Sequence, residues 1–303
     1  MEGSEEMRTE RANAKINLYL NVLSKREDGY HDLVSLMHSV SLCDLVTVDF
    51  HPAPHTAIRL LASGNDEMPK DCRNLAWRAA ELFLASAQRT GEVLISIEKH
   101  IPMAAGLAGG STDAAAVLRG LNALCGKPFN TERLCQIGKR LGADVPFCLV
   151  GGSALVTGIG ERLERMPVMS DCPMVVACMG EGVSTPMAYR MLDEKYADFS
   201  MPAQKDRRVE QLCEGLHQGE LDIVCDNLYN LFEEVVPATH SSVNRVKEIM
   251  TEKGAIRAMM SGSGPSVFGV FADPQDALVA CEALRAQGAS AFVCHPCAEN
   301  RGA

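Results

Sequence analysis

The 303-residue sequence is poor in positive charge: 29 Lys and Arg stand against 39 Asp and Glu, a formal charge of -10. A surface of that sign repels nucleic acid and anionic lipid, so neither is an expected partner. No apolar run approaches the length of a bilayer crossing. The opening stretch Met1 to Glu10 is acidic and polar, which fits a short frayed leader rather than a signal peptide, and the chain is expected in the cytoplasm. There is one tryptophan, Trp77, inside a helical pattern, and it is expected in the core. Internal repeats and low-complexity tracts are absent. Cysteine is plentiful but unpatterned: 12 residues scatter from Cys43 to Cys297, as expected of reduced, mostly buried thiols. Cys294-His-Pro-Cys297 has no second pair to complete a zinc site and no following helix to acidify its first thiol, so it reads as structural or incidental, with a redox pair as the alternative. No metal-ligand cluster is visible. The 47% hydrophobic and 22% charged composition is that of a globular protein with ample core material.

The most informative stretch runs from Pro102 to Leu124. Its first half is a loop built on Gly106, Gly109 and Gly110, whose backbone bends freely and admits close approach. Its second half is helical, with Ala114, Val117, Leu118, Leu121 and Leu124 on one face. Ser111, Thr112 and Asp113 are start signals, so the helix is expected to begin where the glycines stop. A glycine loop feeding a helix start presents unpaired N–H groups and partial positive charge, which suits phosphate, although an ordinary turn before a core helix has the same pattern. A Walker loop is excluded because Gly110 stands where Lys is required, and a dinucleotide fingerprint because no glycine stands two residues before Gly106.

Around this stretch, Ala14–Leu23 alternates as a strand, with Ile16, Leu18, Leu20 and Val22 on one face and Lys15, Asn17, Tyr19 and Asn21 on the other. On this pattern alone Lys15 is a solvated surface lysine. Leu33–Leu42 pairs with it across a turn cluster, and Tyr30 and His31 end that loop as a packed aromatic and a loop histidine. Further strands are expected at Leu45–Phe50, Val93–Glu98, Ser153–Thr157, Arg162–Met166, Met174–Cys178, Arg257–Met260, Ser266–Ala272 and Ala291–His295. Helices are expected at Asn74–Ala87, from Asn130 to Leu141, around Tyr189, and at Glu210–Leu216, Asp226–Val235, Val243–Glu252 and Pro274–Ala286. Asp144, between a glycine turn and a short apolar run read as a strand, is a cap or turn residue on its own evidence. Ala197–Arg208 is polar and expected to be mobile, and Pro167–Pro173 is a boundary between residues 10–166 and 167–303. Mixed strands and helices without strict alternation indicate an α+β fold.

Ala14-Lys-Ile-Asn17, the loop Pro102–Thr112 and Ser261-Gly-Ser-Gly-Pro265 resemble the three signature segments of the GHMP kinases, small-molecule kinases named for galactose, homoserine, mevalonate and phosphomevalonate. Within that family, Ala14-Lys-Ile-Asn-Leu18, Asp28-Gly-Tyr-His31, Gly142-Ala-Asp-Val-Pro146 and the Thr185-Pro186 turn are similar to the branch that acts on a cytidine-linked methylerythritol in the non-mevalonate route to isoprenoid precursors. The resemblance covers about residues 11–295. It implies a two-domain fold, with an N-terminal domain like ribosomal protein S5 and a ferredoxin-like C-terminal domain. It implies transfer of the γ-phosphoryl group of ATP, with Mg²⁺, to an acceptor hydroxyl. The ATP phosphates would lie on Pro102, Met103, Ala104, Ala105, Gly106, Leu107, Ala108, Gly109, Gly110, Ser111 and Thr112. Lys15 and Asp144 would be the catalytic pair, and Asn17, Tyr30, His31, Thr185 and Tyr189 would hold the acceptor, the two tyrosines flanking the cytosine. Three positions depart from the family pattern: Asn13 stands in place of proline, Ala108 in place of a glycine in the loop, and Thr112 in place of a serine, keeping the hydroxyl. The other outcomes to distinguish are a sugar, homoserine or mevalonate acceptor, and a non-catalytic nucleotide-binding module on the same fold.

Overall fold

The structure, a computed structural model, describes residues 7–64, 67–196 and 207–298. Two long antiparallel strands, β1 (Met7–Lys25) and β2 (His31–Pro52), form its spine. The runs expected as separate strands at Leu33–Leu42 and Leu45–Phe50 are one strand, whose path is adjusted by register shifts against β1 at Asn13/Lys15, Asn17/Tyr19 and Val22/Ser24. β3 (Ala57–Ser63), which the sequence pattern did not single out, pairs in parallel with β4 (Gly91–Glu98), and β4 pairs with β2. Between them lies α1 (Leu75–Ala87), started by the Asn74 side chain accepting from the Ala76 N–H.

Then come α2 (Gly109–Leu124), α3 (Thr131–Lys139, capped by Asn130) and α4 (Val145–Val150). The apolar run after Asp144 is therefore a short helix and not a strand. Pro146 lies in its first turn, where a missing N–H costs nothing. The hairpin β5 (Ser153–Gly158) and β6 (Arg162–Met166) joins the sheet through β2.

After Met166 the chain builds a second, four-stranded sheet in the order β11-β7-β10-β9: β7 (Met174–Cys178), β9 (Ala255–Met260), β10 (Val267–Phe271) and β11 (Ser290–Cys294). Its helices are α5 (Thr185–Lys195), α6 (Arg207–Gln218), α7 (Leu221–Asp226), α8 (Val236–Thr239), α9 (Ser242–Glu252) and α10 (Pro274–Ala286). The single helix expected over Asp226–Val235 is instead the end of α7, a two-residue strand β8 (Tyr229–Asn230) and a 3₁₀ turn, Leu231–Glu234. Asn230 imposes the break: its side chain accepts from the Phe232 N–H and donates to the carbonyls of Met260 and Gly262. Of the expected Ala197–Arg208 linker, residues 197–206 lie outside the described residues, as does most of the Met1–Glu10 leader, while Arg207 and Arg208 belong to α6.

Three apolar cores follow from this arrangement. One packs the first sheet against α1–α4, a second packs the second sheet against α5, α9 and α10, and a third joins β1 and β2 to β7, β10, α6 and α7. β1 is thus covered on both faces. That corrects the surface reading of Lys15: Lys15, Asn17 and Tyr19 are all buried. Cys294 is also buried, and burial pushes its thiol up to about 12, in keeping with a structural role. No helix among the described residues is long and apolar enough to cross a membrane.

Candidate active site

A cavity of about 1020 Å³ is lined by β1, the glycine loop, α5, the α3–α4 turn and the 262–263 loop. The shift in register at Asn13/Lys15 turns the Lys15 N–H away from β2, and it donates to the Leu107 carbonyl at 3.1 Å, joining the strand to the glycine loop. Nζ of Lys15 donates to Asn17 Oδ1 at 2.7 Å, Asn17 Nδ2 donates to Ser35 Oγ at 2.7 Å, and Ser35 donates to the Tyr19 carbonyl. The lysine is held from behind by a chain of neutral hydrogen bonds.

The two glycine loops meet here. A Cβ on Gly106 would stand 2.2 Å from the Ser261 carbonyl, and one on Gly262 would stand 3.0 Å from the Gly106 carbonyl and 3.3 Å from Lys15 Nζ. Both glycines have positive φ, so a side chain is barred by backbone and by space. Ser261 Oγ donates to the Gly106 carbonyl, and Thr185 and Ser263 share a hydrogen bond of 3.0 Å that ties α5 to the second loop.

The helix begins earlier than its Ser-Thr-Asp signal suggests. Ala108 is its N-cap in the left-handed region, and Gly109 and Gly110 form its first turn. The Thr112 N–H makes the bond to the Ala108 carbonyl, so the N–H groups of Gly109, Gly110 and Ser111 are the ones a helix start leaves for a ligand. Leu107 and Thr112 do not line the cavity. Both are buried, and Thr112 Oγ1 donates to the Asn13 carbonyl, so they anchor the loop from below.

Asp144 sits at the N-cap of α4 and lines the cavity. Arg119 of α2 fixes that helix by donating to the Cys148 carbonyl, the Arg11 carbonyl and Glu10 Oε2. Burial pushes the Cys148 thiol up to about 12, with the Asp144 charge raising it and the Lys15 charge lowering it, so the acid and the lysine both act on this one buried sulfur.

At the other end, Tyr30 is exposed on the cavity rim and His31 is buried behind it. His31 Nε2 lies 2.8 Å from Asp193 Oδ1, and its ring stacks on Tyr189 at 4.6 Å. Asp193 also takes Lys25 Nζ at 2.6 Å; burial works against its charge, but Lys25 and His31 outweigh it and hold the carboxyl below its ordinary range. Tyr189 therefore presents one face to His31, and Phe232 packs against it at right angles.

A buried cluster beneath the glycine loop was not legible from any motif. Lys99 Nζ bonds Asp44 Oδ2 at 2.5 Å and Asp113 Oδ2 at 2.8 Å, and would stand 3.3 Å from a Cβ on Gly109. Burial opposes the Lys99 charge, but the two carboxylates overcome it and raise its pKa, while burial pushes the Asp113 carboxyl up. Asp113 Oδ1 has no partner among the described residues. The sequence had offered Asp113 only as a helix-start signal. Lys99 and Asp193 carried no signal at all, because both depend on contacts between distant segments. No group of three or more His, Cys, Asp or Glu among the described residues could hold a metal ion by itself.

Residues 74–152 match the N-terminal domain of GHMP kinases and residues 207–290 the GHMP kinase C-terminal domain. The chain is 39% identical to the 4-diphosphocytidyl-2-C-methyl-D-erythritol kinase of Caldicellulosiruptor bescii, over 91% of this chain and 93% of that protein. It superposes on a crystal structure of 4-(cytidine 5'-diphospho)-2C-methyl-D-erythritol kinase with a TM-score of 0.76 at 36% identity, covering 95% of this chain and 98% of that one. A homoserine kinase from Cytophaga hutchinsonii shares the fold at a TM-score of 0.75 and 19% identity, over 99% of this chain and 98% of that one.

Proposed function

The chain belongs to the GHMP kinase family, and from that premise we propose how its own residues carry the reaction. The protein is an ATP-dependent kinase that phosphorylates a hydroxyl of 4-diphosphocytidyl-2-C-methyl-D-erythritol, giving the 2-phosphate and ADP in the non-mevalonate route to isoprenoid precursors. The geometry that supports it best is the meeting of Lys15, Gly106 and Gly262, three segments far apart in sequence, in one cavity that also takes Asp144, Tyr30 and His31.

Asp144 is the general base. An alcohol is a weak nucleophile until its proton is removed, and a carboxylate within hydrogen-bond reach can remove it. The acceptor O–H bond breaks toward Asp144, the oxygen bonds the γ-phosphorus, and the bond from that phosphorus to the bridging oxygen breaks, so that ADP leaves. Lys15, kept in place by Asn17, neutralises charge on the group in transit; positioning and charge neutralisation are most of what this transfer requires. The N–H groups of Gly109, Gly110 and Ser111 take the nucleotide phosphates, with the α2 dipole behind them.

Mg²⁺ enters with the nucleotide. The unpartnered Asp113 Oδ1 and the Ser111 hydroxyl, both on residues that line the cavity, fit a hard cation held largely by phosphate and water, and would be its protein donors. Bound there it would neutralise phosphate charge.

Tyr30 and Tyr189 flank the cytosine, each aromatic contact contributing about 1–3 kcal/mol by analogy with other base-stacking proteins, and His31, Asn17 and Thr185 complete the acceptor end. The two domains divide at residues 166–167 on this proposal, with β8 and Pro296 returning to the first sheet.

ADP release tests the assignment. The cytidine-linked acceptor should support turnover, and the same sugar alcohol without the nucleotide should support little. Equal turnover on both would remove the acceptor role from Tyr30, His31 and Tyr189.

A further inference from the structure

A second cavity, of about 660 Å³, shares no lining residue with the catalytic one and lies within the size range of small-molecule sites, roughly 300–1,000 Å³. We propose that it binds a small organic phosphate, with the phosphate between Arg11 and Arg165 and the organic part against Met166 and Val168.

Three observations carry this. First, the cavity is lined by two arginines and by no carboxylate, in a chain with ten more acids than bases. The Arg165 side chain makes no hydrogen bond or ion pair with any described residue. The Arg11 guanidinium makes one side-chain hydrogen bond among them, a long one of 3.3 Å to the Ser41 carbonyl. Several other arginines are held by carboxylates, as in Arg8–Glu10, Arg26–Asp32 and Arg73–Asp71, which leaves those guanidinium groups engaged in a way Arg11 and Arg165 are not. A guanidinium fork with free donors matches phosphate oxygens.

Second, Ser153, which lines the same cavity, is 2% exposed, and its hydroxyl has no partner among the described residues. A buried hydroxyl left unpaired costs free energy, and an oxyanion in the cavity would accept from it. Third, the walls are fixed. A Cβ on Gly152 would stand 2.5 Å from the Ala298 carbonyl, the Cys297 N–H donates to the Ser39 carbonyl, and the Ser39 N–H donates to the Gly152 carbonyl. Met166 and Val168 make part of the lining apolar and leave more room than inorganic phosphate fills, which is why the proposal names an organic ester.

The test is calorimetric titration of the full-length protein, saturated with MgADP, with phenyl phosphate and separately with inorganic phosphate. Phenyl phosphate should bind, at least tenfold more tightly than inorganic phosphate, and Arg11→Gln/Arg165→Gln should weaken it at least tenfold while leaving ADP release within twofold of the parent. Arg165 lies on β6, an edge strand paired only with β5, so Arg165→Gln alone is a second variant that leaves the core untouched. It should weaken phenyl phosphate at least threefold. Absence of phenyl phosphate binding, affinity unchanged by Arg165→Gln, or equal affinity for the two probes would each overturn the proposal. Because Arg165 does not line the catalytic cavity, loss of binding in that variant cannot arise from the acceptor site, and failure here leaves the kinase assignment intact.

Discussion

Nζ of Lys15 stands 2.7 Å from Oδ1 of Asn17, two residues along the same strand and on the same face. Asn17 is itself held by Ser35, which is held by the Tyr19 carbonyl. A flexible four-carbon side chain is thereby given one position inside a buried site. Ion pairing with Asp44 and Asp113 is taken by Lys99 instead, and the lysine facing the cavity keeps a neutral partner.

Asn17→Ala removes that partner. Turnover should fall about 10- to 100-fold, the scale on which a misplacement near 1 Å acts, with a much smaller change in the KM for ATP. Steady-state kinetics with both substrates varied would check it. Unchanged kcat would show that Lys15 needs no such support.

Ala108 is a second point of leverage. It holds a φ of 58° at the N-cap of α2, where a side chain costs about 1–2 kcal/mol and glycine costs little. Ala108→Gly should therefore raise stability by about 1 kcal/mol, seen as a higher urea midpoint at an unchanged slope. A lower midpoint would mean that the methyl group is packed rather than strained.

His38 gives the protein a pH dependence that does not involve the active site. It is fully buried, with Nδ1 2.8 Å from the Ser39 carbonyl and Nε2 accepting from the Met169 N–H at 3.0 Å, so the native state requires the neutral ring. Burial pushes its pKa down from 6.5 to about 4. The unfolded chain then binds more protons than the native one between those values, and stability is full above pH 6.5 and falls as pH drops toward 4. The gap corresponds to about 3 kcal/mol. The difference in unfolding free energy between the parent and His38→Gln should shrink by about that amount between pH 7 and pH 4. A difference that stays constant over this range would contradict it.

Much of this architecture was legible in local pattern. The alternation around Ile16, the helix starts at Asn74 and Asn130 and the helical face of Ala114 and Leu121 are all where the sequence put them, because these signals act within a few residues. The burial of Lys15 was not legible. Alternation reports that one face of a strand is apolar, and the second sheet packs on that face, at Ile16 and Leu18. It does not report that the Lys15 face is closed over by the glycine loop, whose Leu107 carbonyl accepts from the Lys15 N–H, and by Gly262 of the second loop. The break at Asn230 and the Lys99–Asp113 contact escaped for the same reason: each is set by partners distant in the chain. Ala108 and Asp113 show how a cap signal can mislead. Ser, Thr and Asp promote helix starts in general, but here the preceding glycines already fit the first turn, and Asp113 turns inward to an ammonium group.

The central claim is that Asp144 takes the acceptor's proton while Lys15 steadies the phosphoryl group. Asp144→Asn keeps the shape of the side chain and removes its basicity. The most direct measurement is the rate of ADP release by this variant with saturating ATP and cytidine-linked acceptor, alongside ATP affinity by titration. The account predicts turnover reduced to background with ATP affinity within a few-fold of the parent. Turnover comparable to the parent would contradict it.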